Sequence, residues 1–372
     1  MHKKAIVSML VILFLLTGCW DKVEIEERAH ISAVGIDMYS TPDGEDVPNR
    51  YTFTFAFPEN KKDNAKDIIV ASVGENLYSV SRIMASRSNK EFFLGHLRTV
   101  VIGVDIAKDP KSFRQILDGI ENNEFLSRRV VLAITEDSAG EIIKIVPSME
   151  NKLGEFIAEI FRRPDRIPRI VGGSVGDIFT DLHESGNTLI PKIIPGETDV
   201  KVAGGGIINN YEFRGWLGEE ETAHLLVLKG ETKCLCGMTV EYKDHSIPVA
   251  LRPKKPKFRL IEDEDNIKIL IEVEMEGDVK QTYFEAHDDM LEVETIGKIE
   301  NKMEEVTEQR ARAAIDKIQK RFETDIIGIG RYLRQSHYKL WKEIEDDWEE
   351  IFPNIDIDVN MDIKIRRIGL IR

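Results

Sequence analysis

The run Ile355-Asp356-Ile357-Asp358-Val359-Asn360-Met361-Asp362-Ile363-Lys364-Ile365 places an apolar side chain at every odd position and a polar one at every even position. Successive side chains of a strand point to opposite faces, so this period of two predicts a half-buried strand with its even residues in water. Upstream the period changes. From Met290 to Asp325 the chain is highly charged, and Ile299, Met303, Val306, Ala313 or Ala314, Ile318 and Phe322 recur as one helical stripe. Without sustained heptads, such a stripe packs on a sheet rather than forming a coiled coil. A second helix is predicted over Ile329 to Ile344, and strands over Pro248 to Arg252, Phe258 to Ile261 and Ile267 to Met275. The C-terminal part is therefore α+β, a sheet covered by one long helix.

The same two periods alternate earlier in the chain. Tyr51, Phe53, Phe55 and Phe57 would line one face of a strand, with further strands at His30 to Asp37, Ile68 to Val73, Leu97 to Val104 and Arg129 to Thr135. Helices are predicted from Asn76, a capping residue, to Arg87, from Lys111 to Asn122, from Glu141 to Ile145, from Leu153 to Phe161, and after Ser174. Pro191, Pro195 and Gly196 make the passage from Leu189 to Val202 turn-rich, and it is taken as a domain junction. The expected architecture is multidomain α+β, with mixed or antiparallel sheets each packed with helices. Residues 19–125 would form an N-terminal domain, 126–200 a middle domain intertwined with it, and 201–372 the C-terminal domain with the long helix.

Residues 1–18 are set apart as a signal peptide to be removed. Met1-His2-Lys3-Lys4 is basic, and Ala5 to Leu16 is apolar except for Ser8. This run is shorter than the ~20 apolar residues that span a bilayer. Leu16, Thr17, Gly18 and Cys19 then resemble a bacterial lipobox, in which the Cys19 thiol receives a diacylglyceryl group and becomes the new N-terminus. Two fatty chains, such as palmitate, hold a protein lastingly on a membrane where one is marginal. The body that follows is acidic, with 51 basic against 66 acidic residues and a net charge of −15. Nucleic acid and anionic headgroups repel such a body, so acyl chains rather than surface charge would keep it at the membrane, and no nucleic-acid partner is expected.

No constellation for catalysis or for a cofactor emerges. Val171-Gly172-Gly173-Ser174-Val175-Gly176-Asp177 lacks the Gly-Lys-Ser/Thr of a phosphate loop, so Ser174 is expected to cap a helix. Gly204-Gly205-Gly206 fails in the same way and suits a bulge or a close backbone approach. Phe284-Glu285-Ala286-His287 lacks a second histidine, and His287-Asp288-Asp289 and Asp346-Asp347 are ordinary neighbours in so acidic a chain. His96 is expected as a hydrogen-bonded core residue. Cys234 and Cys236 are expected as buried or idle thiols, since structural zinc wants four ligands and only His245 is near. The hexad Arg252-Pro253-Lys254-Lys255-Pro256-Lys257 is expected as a solvated loop. Neither metal nor cofactor is expected, and no enzyme activity.

Gly18-Cys19-Trp20-Asp21 with Glu24-Ile25, followed by Val34-Gly35-Ile36-Asp37, resembles the N-terminus of the Ger(x)C family, the lipoprotein C subunits of bacterial spore germinant receptors. Phe93-Leu94-Gly95-His96, Gly215-Trp216-Leu217 with Glu220-Glu221-Thr222, and Ile363 to Leu370 resemble later segments of the same family, in family order. The resemblance implies a lipid-anchored protein on the outer face of the spore inner membrane. Its partners would be an A-type and a B-type receptor subunit, and its role in nutrient-triggered spore germination, once sporulation has made the spore, would be non-catalytic, as scaffold or coupling element. It also implies three α+β domains in a rod. Whether this subunit binds a small molecule directly stays open. The competing reading is a lipid-anchored solute-binding protein of a transporter, which calls for two similar lobes around one cleft.

Overall fold

The computed structural model describes residues 24, 27–58, 67–148, 152–162, 172–263, 266–281 and 292–369. The lipobox residues Leu16 to Cys19, and the segment holding His287-Asp288-Asp289, lie outside them. The first part of the chain gives β1 (Arg28–His30), β2 (Ala33–Ser40), β3 (Asp46–Pro58), β4 (Asp67–Gly74), α1 (Leu77–Ala85), β5 (Glu91–Phe93), β6 (Thr99–Gly103), α2 (Val104–Lys108), α3 (Pro110–Glu121), β7 (Val131–Thr135), α4 (Ala139–Lys144), α5 (Leu153–Phe161), α6 (Val175–Ser185), β8 (Asn187–Pro195), β9 (Val200–Asn209) and β10 (Glu212–Leu217). The second part gives α7 (Glu219–Lys229), β11 (Leu235–Tyr242), β12 (His245–Pro253), β13 (Lys257–Asp263), β14 (Asn266–Val279), α8 (Val293–Lys317) with a π-turn over Ile318–Phe322, α9 (Ile329–Ser336), α10 (Tyr338–Ile344), α11 (Trp348–Ile351) and β15 (Asp356–Ile368).

Eight strands form one mixed sheet in the order β10-β9-β8-β7-β6-β2-β3-β4, and β1 pairs with β5 beside it. The large residues of β2 and β3, with Val100, Ile102, Leu132 and Ile134, face a layer made by α1, α2, α3 and α6. The opposite face is built from small residues, Ala33, Ala56, Val101 and Ala133, and carries α4 and α5. Small side chains let helix backbones come close. A Cβ on Gly35 would lie 2.7 Å from the Ala139 carbonyl oxygen, and one on Gly154 would lie 2.4 Å from that of Ser32. The period-two reading of β3 holds, since Tyr51, Phe53, Phe55 and Phe57 are all buried. Both sequence-expected caps are in place. Asn76 accepts from the Ser79 amide, and Ser174 from the Asp177 amide.

The passage from Leu189 to Val202, expected as a turn-rich junction, comprises the end of β8, a turn and the start of β9, hydrogen-bonded into this sheet. The β9–β10 hairpin closes on Asn210 and Tyr211, both with positive φ, as a two-residue turn requires.

In the second sheet β14 is the axis. β15 runs parallel to it from Lys268 to Val279, while β13 and β12 pair antiparallel with its two halves and β11 continues from β12. Val359, Met361 and Ile363 point inward with Ile269, Ile271, Val273 and Met275. They pack under α8, whose stripe Ile299, Met303, Ala314, Ile318 and Phe322 is buried as predicted. Thr307 takes the place anticipated for Val306, its hydroxyl donating to the Met238 sulfur at 3.8 Å. The predicted second helix is broken at His337 into α9 and α10. The outer face of the sheet is a lattice of cross-strand ion pairs, among them Lys268–Asp358, Arg259–Glu272 and Arg252–Asp278.

Candidate functional site

The residues that carry the recognisable sequence segments gather where elements join. In Val34-Gly35-Ile36-Asp37, Gly35 leaves room for α4, and the Asp37 carboxylate accepts from the amides of Ala139 at 2.7 Å and Gly140 at 2.8 Å and from the Ser138 hydroxyl at 3.0 Å. This strand residue therefore holds the start of a helix about a hundred residues downstream. An anion there also suits the positive end of the helix.

Gly215-Trp216-Leu217 forms the second junction, between the eight-stranded sheet and the end of the long helix. Gly215 has φ +148°, and a Cβ on it would meet the Phe322 ring at 2.4 Å, so only glycine fits the bulge in β10. Trp216 packs edge-on against Phe213 with centroids 4.7 Å apart, and the Lys192 ammonium lies 4.5 Å from its ring. Leu217 is fully buried and belongs to the C-terminal core. The acidic start of α7 follows. Glu221 accepts from the Gly218 amide at 2.7 Å and from the Lys317 ammonium at 2.6 Å, tying α7 to α8.

Helix α7 is buried all round, from Thr222 through Leu228, which marks a helix enclosed by protein rather than one with a wet face. Its His224 donates from Nδ1 to the Glu220 carbonyl at 2.8 Å, and burial holds the imidazole below its ordinary pKa range. Leu189, Ile207 and Leu217 from the first sheet join Ala223, Leu225 and Val227 of α7 and the β14 residues in one core. Around that core, α6 and α9 are linked by Arg331 to Asp181 at 3.1 Å and to Glu184 at 3.3 Å.

Asp325 anchors the α9 side. Its carboxylate accepts from the amides of Gly328, Ile329 and Gly330 at 2.9, 3.0 and 2.7 Å and from the Trp348 indole at 3.3 Å. Burial pushes its pKa up, while these four donors pull the other way.

Other sequence-selected residues are dispersed. His96 is exposed, contrary to the expected core position, and stacks on His30 with centroids 4.5 Å apart. It belongs to the short turn Leu94–His96, which leaves the sheet before β6 begins. Cys234 is disulfide-bonded, a correction to the expected thiol. In the basic hexad Lys254 and Lys257 both pair with Glu274, whose pKa they lower to about 2. Asp346 and Asp347 line a cleft of about 710 Å³ between α6 and α9. A larger cleft of about 1020 Å³ opens beside Gly172-Gly173-Ser174. Within its lining Lys229 pairs with Glu231 and the Ser174 hydroxyl donates to Asp177, while Arg98 and Arg162 reach out of it to Glu155 and Glu159. Among the described residues no group of three or more His, Cys, Asp or Glu could hold a metal ion, and no helix is long and apolar enough to cross a membrane.

Sequence reasoning missed Asp37 as a cap and the Gly215–Phe322 contact. Both are long-range pairings, which local spacing does not encode.

Comparison with known proteins gives consistent matches along the chain. Residues 21–195 match the family described as spore germination protein N-terminal domain, and residues 203–369 the one described as spore germination B3/GerAC like, C-terminal. Spore germination protein YndF of Bacillus subtilis (strain 168) is 21% identical, the alignment covering 99% of this chain and 97% of that protein. Spore germination protein KC of the same organism is 23% identical over 100% and 97% of the two chains. Spore germination protein A3 is 22% identical over 99% and 98%. The crystal structure of the GerBC protein shares the fold, with a TM-score of 0.60 and 18% identity over 89% of this chain and 97% of that one.

Proposed function

The chain belongs to the Ger(x)C family of GerAC-like spore germination proteins, and from that premise we propose that it serves as a lipid-anchored, non-catalytic scaffold or coupling subunit of a germinant receptor. Cys19 carries the diacylglyceryl anchor after cleavage behind Leu16, Thr17 and Gly18. The body lies on the outer face of the spore inner membrane beside an A-type and a B-type subunit. The observation that carries this reading is the place of the signature residues. Asp37, Gly215, Leu217 and Glu221 all work at joints between layers, and among the described residues none of the four lines one of the clefts named above.

A body built this way can hold partners at a fixed spacing and pass displacement from one sheet to the other through α7. The solute-binding alternative wants two similar lobes, whereas the two sheets here differ in strand number, strand direction and helix cover.

Pull-down from spore membranes tests the proposal. The wild-type chain should bring down integral-membrane receptor subunits, and Cys19→Ala should lose most of the membrane-bound fraction and the nutrient response. Normal germination in a strain lacking the chain, with no co-purifying membrane subunits, overturns the reading.

A further inference from the structure

Beside β1 lies a cavity of about 600 Å³ whose wall changes character from floor to rim. The floor is apolar, made by Ile31, Phe57, Val70, Met84 and Phe92. Ile68 extends that apolar surface onto the lip, where it is half exposed. The rim is cationic: among the described residues Arg28, Arg87, Lys90, Arg98 and Lys152 stand against one lining carboxylate, Glu155, which is already paired with Arg98 at 3.1 Å. Arg87 and Lys90 have no carboxylate within ion-pair distance among the described residues. The Arg28 guanidinium sits 4.6 Å from the Phe93 ring, and its buried Nε has no hydrogen-bond partner among the described residues.

This is a local inversion of the molecule's charge. A chain of net −15 concentrates five cations around one apolar hollow, with Arg87 and Lys90 unpaired among the described residues. Burying cationic stems against apolar surface with the charged heads outward fits an amphiphile whose anionic group meets the heads and whose hydrocarbon enters the hollow.

We propose that this cavity seats one anionic phospholipid, its phosphate at the Arg28, Arg87 and Lys90 rim and the first part of an acyl chain on the Phe57, Val70, Met84 and Phe92 floor. The orientation rests on the lipid-anchor reading. Arg28 follows Cys19 by nine residues, which spans at most ~30 Å of extended chain, so an anchored protein keeps the cavity within reach of the headgroup layer. An acidic body would otherwise turn at random on its tether or away from an anionic surface. A single basic seat near the attachment point gives it one orientation.

The test is native mass spectrometry of the full lipidated chain in neutral detergent, titrated with phosphatidylglycerol or phosphatidylcholine. One phosphatidylglycerol should be retained saturably, and phosphatidylcholine at least tenfold more weakly. Arg87→Glu with Lys90→Glu, two exposed positions, should weaken phosphatidylglycerol retention about tenfold or more with an unchanged unfolding midpoint. Ile68→Glu on the lip should weaken it as well. Inorganic phosphate should compete poorly, because it brings no hydrocarbon to the floor. Equal retention of the two lipids, indifference to both variants, or inorganic phosphate competing as well as free lipid would each overturn the proposal, and so would displacement of no lipid but tight binding of a soluble acidic peptide. Retention is read on the isolated chain, so it does not depend on whether receptor subunits co-purify.

Discussion

The two sheets meet water in opposite ways. The eight-stranded sheet hides both faces under helices, with bulky aromatics on one side and alanines and glycines on the other. The five-stranded sheet covers one face with α8 and leaves the other as a mesh of opposite charges. Tolerance to change should follow. Where two backbones touch across a glycine, an added methyl has nowhere to go, whereas a charged outer face accommodates many side chains.

The glutamates of α8 sharpen the contrast. Along β15 the amides of Met361, Ile363 and Ile365 have no strand to bond on their outer side. They donate instead to Glu308, Glu304 and Glu300 at 3.0, 2.9 and 2.7 Å. At the next position the helix offers Arg312, which donates to the Val359 carbonyl at 3.4 Å. An exposed row of backbone donors invites pairing with another chain, and the helix closes that route. In the first sheet, edge strand β4 is only eight residues long and β10 is bulged.

The largest effect that could break this comparison is expected at the thin face of the first sheet. Gly154→Val should destabilise by about 3 kcal/mol or more, because its Cβ would press on the Ser32 carbonyl. Urea unfolding measures it, and a loss under 1 kcal/mol would mean that α5 can lift without cost. Glu304→Ala removes one rung of the ladder and should lose about 1 kcal/mol, with an increased tendency to self-associate that Glu304→Gln does not share. Light scattering on the two variants tells them apart.

The third prediction concerns the helix between the sheets. Burial holds the His224 pKa below 6.5 in the folded chain, so the unfolded chain binds the extra proton first. Stability is therefore full above pH 6.5 and falls as the pH drops below it toward the folded value. Thermal unfolding between pH 5 and pH 7.5 should show this slope, and His224→Leu should flatten it. Smallest is Gly297→Ala in the first turns of α8, where nothing lies within 4 Å of the new methyl. It should stabilise by about 0.5–1 kcal/mol, a gain no glycine on the thin face can return.

Legibility in the sequence followed the same division. Alternation from Ile355 to Ile365 and from Tyr51 to Phe57, the caps at Asn76 and Ser174, and the stripe of α8 are local patterns, and all were readable. The parallel pairing of β15 with β14 was not, because the two strands are about ninety residues apart and their own alternation fits either direction. Glu300, Glu304 and Glu308 do not stand out among the many charged residues of that helix. Their fourfold spacing gains meaning only opposite a strand. His96 was misjudged because its neighbours are apolar, yet the turn over Leu94–His96 swings its ring to the surface. Of the candidate site, the signature segments could be recognised, while the reason for them, contacts such as Gly215 against Phe322, needed the fold.

One consequence of the ladder concerns movement. Four residues of helix advance ~6.0 Å and two of strand ~6.6–6.8 Å, so three rungs match within the play of a glutamate side chain. Smooth sliding of α8 would break all three bonds together, and a step of four helix residues would restore only two of them, Glu308 to Ile363 and Glu304 to Ile365. The ladder therefore holds α8 in one register on β15, and a push along the helix meets all three bonds at once.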